Sequence, residues 1–196
     1  MGAASHLLDF KDHDENATLV LVDLHGETGL PEGSGREGAD FARALERCRA
    51  ALSFGRMAGL PVAFVRRKPQ PASMLESQAY PSWLDGFRPY RSDMVFERAS
   101  PSCYASMEFA DMARRSGNLV LAGIFGETSC LATLIEGHGR NHRIVFLADA
   151  CVSQGRGEIS AEAMHQSVIG IASLYSEVSS TNGWIKRMSE KFASAS

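Results

Sequence analysis

The sequence has little of several features that mark whole classes of protein. Its net charge at pH 7 is −3, so no broad positive field favours binding to nucleic acid. No apolar run approaches the roughly 18 residues that a membrane-spanning helix needs. The first residues lack the basic and apolar segments of a secretion signal. These absences predict a cytoplasmic protein that binds neither nucleic acid nor membrane.

Cysteine is also scarce, and its spacing excludes further classes. The four cysteines stand at positions 48, 103, 130 and 151 and form no C-x-x-C pair. A disulfide framework or a zinc knuckle is therefore not expected, and a reducing compartment fits better.

What the chain does contain is a regular alternation of short apolar runs and amphipathic segments over 196 residues. This pattern predicts βαβ units, a parallel sheet and a single α/β domain over 17–196, preceded by a polar arm over 1–16. Residues 66–92 contain four prolines and no clean period, which predicts a long loop that is either a functional lid or a surface connection. Strands are predicted over 17–22, 61–65, 93–96, 119–122, 143–148 and 177–179, and helices over 39–59 and 130–139. Three further helices are predicted with Ser106, Ser160 and Thr181 as their N-caps, the first of them running to about residue 115.

The stretch N-L-V-L-A-G-I-F-G-E-T-S-C-L-A-T-L-I-E-G-H-G, residues 118–139, organises the rest of the chain. It begins as a buried strand and changes to helical periodicity at Cys130. A cysteine at a helix N-terminus lies near free N–H groups and the positive end of the helix dipole, which favour a thiolate and can hold an oxyanion. The alternative is that Cys130 is a small buried apolar residue.

Three polar residues follow predicted strands, and their positions predict a common site. Asp23, Arg98 and Cys130 each stand at or just beyond a strand's carboxyl end. Ligands of open parallel sheets bind beyond these ends, where the strand order reverses.

These residues resemble the isochorismatase-like hydrolase superfamily, also called the cysteine hydrolases. The resemblance rests on L-V-L-V-D ending at Asp23, on V-F-E-R-A-S-P-S-C-Y with Arg98 where the family has lysine, and on G-I-F-G-E-T-S-C-L-A-T with Cys130. It implies a three-layer αβα fold with a six-stranded parallel sheet of order 3-2-1-4-5-6. It also implies a homo-oligomer and a cis peptide bond between Ile124 and Phe125.

The resemblance further implies how a small-molecule substrate would be hydrolysed. Asp23 would take the proton of Cys130, and the thiolate would attack a carboxamide, ureido or carbamoyl carbon to give a thioester-type acyl-enzyme. Arg98 would orient Asp23 or stabilise charge, and N–H groups of Cys130 and of residues 125–129 would hold the oxyanion. The D-x-H metal motif that nicotinamidases of this superfamily carry after a longer loop is not found, so neither a metal nor a cofactor is expected. The implied oxyanion and pocket residues are His25, Trp83, Tyr104, Phe125, Gly126 and Ser129.

Two alternatives remain open at the level of sequence. One is isochorismatase-type hydrolysis of a vinyl ether, with Asp23 as the acid and no need for a thiolate. The other is a non-catalytic relic, because Arg98 replaces the family lysine and arginine cannot release a proton.

Overall fold

The computed structural model describes residues 17–26, 36–69 and 80–195. The arm predicted for residues 1–16 lies outside these ranges, as do residues 27–35 and 70–79 of the predicted loops.

The described residues form six strands and five helices, which alternate except that the third strand follows the second with no described helix between them. A 3₁₀ turn (Cys103–Ala105) precedes the second helix, and a π-helical turn (Gly126–Cys130) precedes the third. The strands are β1 (Thr18–Val22), β2 (Val62–Arg67), β3 (Met94–Arg98), β4 (Asn118–Ile124), β5 (Arg143–Val152) and β6 (Glu177–Ser179), and the helices are α1 (Arg36–Met57), α2 (Met107–Ser116), α3 (Leu131–Gly139), α4 (Ala161–Ala172) and α5 (Thr181–Ala195).

The six strands pair in parallel in the order 3-2-1-4-5-6, which confirms the predicted sheet. The order reverses between β1 and β4, so the connections from these strands leave toward opposite faces of the sheet. The carboxyl ends of β1 and β4 therefore border a crevice.

Each face of the sheet carries a separate apolar core, which gives the three layers. Helices α1 and α5 cover one face with residues such as Leu52 and Trp184. Helices α2, α3 and α4 cover the other face with residues such as Phe109, Leu134 and Val168. Both faces of the central strands are buried, which explains their continuous apolar sequences.

Gly123 allows β1 and β4 to approach closely at the crevice. Its φ is +145°, and an added Cβ would lie 2.2 Å from the carbonyl oxygen of Val22. Only glycine adopts this conformation beside a neighbouring backbone without strain. The carboxyl end of β1 is thereby brought against the turn that follows β4.

Serine side chains cap three of the helices. The N–H of Phe109 donates to Ser106 Oγ at α2, and the N–H of Ala163 donates to Ser160 Oγ at α4, as the sequence predicts. At α5 the predicted cap, Thr181, is wrong by one residue. The N–H of Gly183 donates to Ser180 Oγ at 3.1 Å.

Candidate active site

Asp23 follows β1 directly and lies in the crevice. Its backbone is left-handed, with φ at +58°, a conformation that aspartate tolerates better than most residues. Its side chain is only 2% exposed. A carboxylate so buried is stable as an anion only when charged or hydrogen-bonding partners surround it.

Arg98, the last residue of β3, is the charged partner of Asp23. It is 1% exposed, and its Nη2 donates to Asp23 Oδ2. The same Nη2 donates to Ser129 Oγ at 2.7 Å, and Nη1 donates to the carbonyl oxygen of Ser100 at 2.7 Å. The guanidinium is therefore fixed from two sides and holds both the carboxylate and a hydroxyl group.

Ser129 supplies that hydroxyl group. Its Oγ donates to Asp23 Oδ2 at 2.6 Å, and the residue is 4% exposed. Thr133 Oγ1 donates to the carbonyl oxygen of Ser129 at 2.7 Å and accepts from the N–H of Cys103 at 2.9 Å. The turn that carries Ser129 is thus tied to the segment that follows Arg98.

Cys130 follows Ser129 in the same turn, but its hydrogen-bonding partners among the described residues do not include Asp23, which differs from the direct proton transfer that the resemblance implies. Its side chain is fully buried in the apolar core formed with α2, α3 and α4. Its Sγ points toward the carbonyl oxygen of Ile124, 3.7 Å away. A hydrogen bond with Cys151 and full burial raise the pKa of the Cys130 thiol well above its ordinary value. A neutral, enclosed thiol is a poor nucleophile.

The π-helical turn also changes the predicted oxyanion site. The N–H groups of Thr128, Ser129 and Cys130 all point to the carbonyl oxygen of Phe125, at 3.1, 2.9 and 3.4 Å. They are therefore not free to hold an oxyanion in this conformation, contrary to expectation. The guanidinium of Arg98 donates to both Ser129 and Asp23.

The predicted cis peptide bond is also wrong. No cis bond occurs in the described ranges, and the bond between Ile124 and Phe125 is trans. Phe125 instead turns the chain through a left-handed backbone, with φ at +59°.

The environment of Asp23 favours its ionised form. Burial alone would raise its pKa, but the adjacent His25 ring, the charge of Arg98 and the hydrogen bond from Ser129 together hold the pKa below its ordinary value of 3.8. His25 Nε2 lies 3.8 Å from Asp23 Oδ1. Asp23 is therefore a carboxylate at neutral pH and suited to accept a proton.

Two of the predicted pocket residues form one wall beside Asp23. His25 forms an isolated β-bridge with Trp83, and their rings meet edge to face with centroids 6.2 Å apart. Trp83 also packs on Phe64, with centroids 5.4 Å apart. The guanidinium of Arg66 lies 5.4 Å from the Trp83 ring. This wall is rigid, aromatic and adjacent to the carboxylate.

The other predicted pocket residues differ in placement. Gly126 is buried against Cys151 and Ser153, where an added Cβ would lie 2.9 and 2.8 Å from their side-chain atoms. Phe125 is partly buried against the core formed with α1 and α5. Tyr104 packs in the opposite core, and its hydroxyl contacts His142 Nδ1 at 2.7 Å. The structure therefore does not bring Tyr104 to Asp23.

Within the described ranges, no three His, Cys, Asp or Glu side chains group in a way that fits a metal ion. Within the same ranges, no helix combines the length and apolar composition that crossing a bilayer requires.

The fold is that of the isochorismatase-like class of hydrolases, and a family model identifies the class from the sequence. Residues 17–181 match the isochorismatase domain family, and the chain belongs to this family. None of the curated proteins is similar enough to the sequence to count as a match.

Solved structures show the same fold at low sequence identity. A cysteine hydrolase from Pseudomonas syringae pv. phaseolicola 1448A superposes with a TM-score of 0.76 at 17% identity, covering 92% of this chain and 96% of that one. A putative hydrolase of the isochorismatase family from Chromobacterium violaceum ATCC 12472 gives 0.75 at 18% identity, with 92% and 97% covered. A ribonuclease from Caenorhabditis elegans gives 0.69 at 12% identity, with 90% and 83% covered. The fold therefore does not by itself identify the substrate.

Proposed function

We propose that this protein hydrolyses a C–N bond next to a carbonyl group in a small molecule, with Asp23 as the general base and then the general acid. The substrate classes are carboxamides, ureido compounds and carbamoyl compounds. The observation that carries the proposal is a buried carboxylate, held ionised by Arg98 and hydrogen-bonded to a hydroxyl group, at the crevice of an isochorismatase fold.

The physical chemistry of Asp23 supports the role of base. A carboxylate with a lowered pKa is fully ionised at neutral pH, so every molecule can accept the proton of an attacking O–H group. Arg98 keeps its charge throughout because a guanidinium does not titrate in this range. It can stabilise the negative charge that develops as the carbonyl is attacked. The aromatic wall of His25 and Trp83 suits a small planar substrate.

A second candidate is isochorismatase-type hydrolysis of a vinyl ether, in which Asp23 would protonate the substrate. The contact of Cys130 Sγ with the carbonyl oxygen of Ile124 rather than with Asp23 favours it because this chemistry needs no thiol. Against it, the lowered pKa of Asp23 leaves little of the protonated form at neutral pH. General base therefore remains the better assignment for Asp23.

The test is ammonia or amine release from a panel of small amides, ureides and carbamoyl compounds. We expect turnover by the wild type and a loss of roughly 10²- to 10⁴-fold in Asp23→Asn, the usual contribution of a general acid–base. The matched control, Cys130→Ala, should stay within about twofold of wild type because Cys130 does not contact Asp23.

The pH profile separates the two candidates. A base with a lowered pKa predicts a rate that is constant above about pH 5 and falls in more acidic solution. An acid predicts a rate that falls as the pH rises. Failure to cleave any member of the panel, or full activity in Asp23→Asn, would refute the proposal.

A further inference from the structure

We propose that the nucleophile of this hydrolase is Ser129, which forms an oxygen ester with the acyl group of the substrate. This inference rests on the proposed function and adds to it the identity of the attacking atom. It replaces a thioester on Cys130 with an ester on its sequence neighbour.

The first argument is direct contact. Ser129 Oγ donates a hydrogen bond of 2.6 Å to Asp23 Oδ2, the geometry that a nucleophile and its base require. Cys130 Sγ instead points toward the carbonyl oxygen of Ile124. Of the two neighbours, only the serine can pass its proton to Asp23 without a rearrangement of the turn.

The second argument is electrostatic. An alcohol is a weak nucleophile, and its alkoxide needs a nearby positive charge. Arg98 Nη2 donates to Ser129 Oγ at 2.7 Å while also contacting Asp23. Both the charge and the hydrogen bond stabilise the deprotonated oxygen in a site from which water is largely excluded. The Cys130 thiol lies among apolar side chains and beside the Cys151 thiol, and the negative charge of Asp23 also acts on it, so a thiolate there is disfavoured although the charge of Arg98 opposes this effect.

The third argument is that Ser129 is held in place. Thr133 Oγ1 donates to the carbonyl oxygen of Ser129 and accepts from the N–H of Cys103. The Ser129 N–H donates to the carbonyl oxygen of Phe125 at 2.9 Å. Thr133 and Phe125 thus hold the backbone of Ser129, while Asp23 and Arg98 hold its Oγ, and such preorganisation reduces the entropic cost of attack.

The chemical steps balance without a cofactor. As Oγ forms a bond to the carbonyl carbon, the Ser129 proton moves to Asp23 Oδ2. The C–N bond breaks, and the leaving amine takes that proton from Asp23. Water then attacks the ester and gives a proton to Asp23, which returns it to Ser129 Oγ as the acid is released. The sum is amide plus water giving carboxylic acid plus amine.

The experiment compares Ser129→Ala, Ser129→Cys and Cys130→Ala on the amide panel and on p-nitrophenyl acetate. We expect Ser129→Ala to lose at least about 10³-fold in kcat, because a lost nucleophile removes the covalent route. Cys130→Ala should keep wild-type rates. Ser129→Cys should retain acylation by the ester and become sensitive to iodoacetamide, whereas the wild type should not be inactivated. Thermal melting of each variant reports whether it folds.

The possible outcomes separate this inference from the proposed function. If Asp23→Asn loses activity but Ser129→Ala keeps it, water is the attacking group, and the inference is wrong while the proposed function stands. Loss of activity only in Cys130→Ala would also overturn it. If no member of the panel is cleaved, the proposed function fails. The reaction with p-nitrophenyl acetate then tests by itself whether Ser129 is a nucleophile. A burst that Ser129→Ala lacks supports a nucleophilic serine, and the absence of any burst overturns it.

Discussion

Ser129 and Cys130 are neighbours in one turn but lie in two contrasting regions. Ser129 belongs to a polar group with Asp23 and Arg98 in which every contact is a hydrogen bond or an ion pair. Cys130 belongs to an apolar core in which its hydrogen-bonding partners are a carbonyl oxygen and a second thiol. Both regions are almost fully enclosed, so burial does not distinguish them.

The contrast shows that charge and hydrogen bonding decide which of the two side chains can react. Burial by itself favours the neutral form of both Asp23 and Cys130 and therefore contributes an increase to the pKa of each. At Asp23 the hydrogen bond with His25, the charge of Arg98 and the hydrogen bond from Ser129 outweigh burial, and the pKa falls. At Cys130 the neighbouring thiol adds to it, and the pKa rises. Each prediction below removes one of these contributions.

The largest effect is expected from Arg98→Ala. Removal of one partner of a buried ion pair leaves the other charge unpaired, which typically costs about 3–5 kcal/mol of stability. Urea denaturation at pH 7 measures this loss. Arg98→Lys keeps the charge and should lose less. Cys130→Ala, the control for the apolar region, should lose only about 1 kcal/mol because it removes a single buried atom. Equal losses in Arg98→Ala and Cys130→Ala would contradict the contrast between the regions.

A smaller loss of folding stability is expected when the pH is lowered. The pKa of Asp23 is lower in the folded protein than its ordinary 3.8, so the unfolded chain binds this proton more readily. The stabilisation is therefore complete above the unfolded pKa and is lost as the pH falls through the folded pKa.

Urea denaturation of wild type and Asp23→Asn at pH 7, 4 and 3 provides the measurement. The difference in unfolding free energy between the two proteins should decrease as the pH falls, because Asp23 becomes protonated in the wild type. Other carboxylates titrate in both proteins, so their contributions cancel in this difference. A difference that stays constant with pH would show that Asp23 is not held ionised by its partners.

Much of the fold can be predicted from sequence because burial on both faces leaves a clear pattern in the strands. The runs that end near Val22, Val65 and Ala122 are apolar apart from Thr18. The order of the strands came from the resemblance to the family, and it is the observed one. The ends of elements are less well determined. For example, β5 continues to Val152, past the end predicted at 148, because Asp149 is accommodated by the N–H and hydroxyl of Thr181, each 2.7 Å away.

The candidate site could be predicted only in part. Asp23 and Arg98 follow from their positions at strand ends, but the choice between Ser129 and Cys130 depends on one residue of register. The π-helical turn of residues 126–130 sets that register, and consecutive helical residues point about 100° apart. The sequence contains no pattern that predicts such a turn, and residue type alone favours a cysteine over an adjacent serine as the nucleophile. The homo-oligomer remains a prediction.

The most direct test is to identify which atom carries the acyl group. The protein would be mixed with p-nitrophenyl acetate, quenched in acid during the burst and mapped by peptide mass spectrometry. We predict that fragment spectra place the acetyl group on Ser129, and that neutral hydroxylamine, which cleaves thioesters, leaves it in place. An acetyl group on Cys130 that hydroxylamine removes would contradict the account. It would show that the turn of residues 126–130 changes conformation, so that the Cys130 thiol reaches the substrate and is the nucleophile.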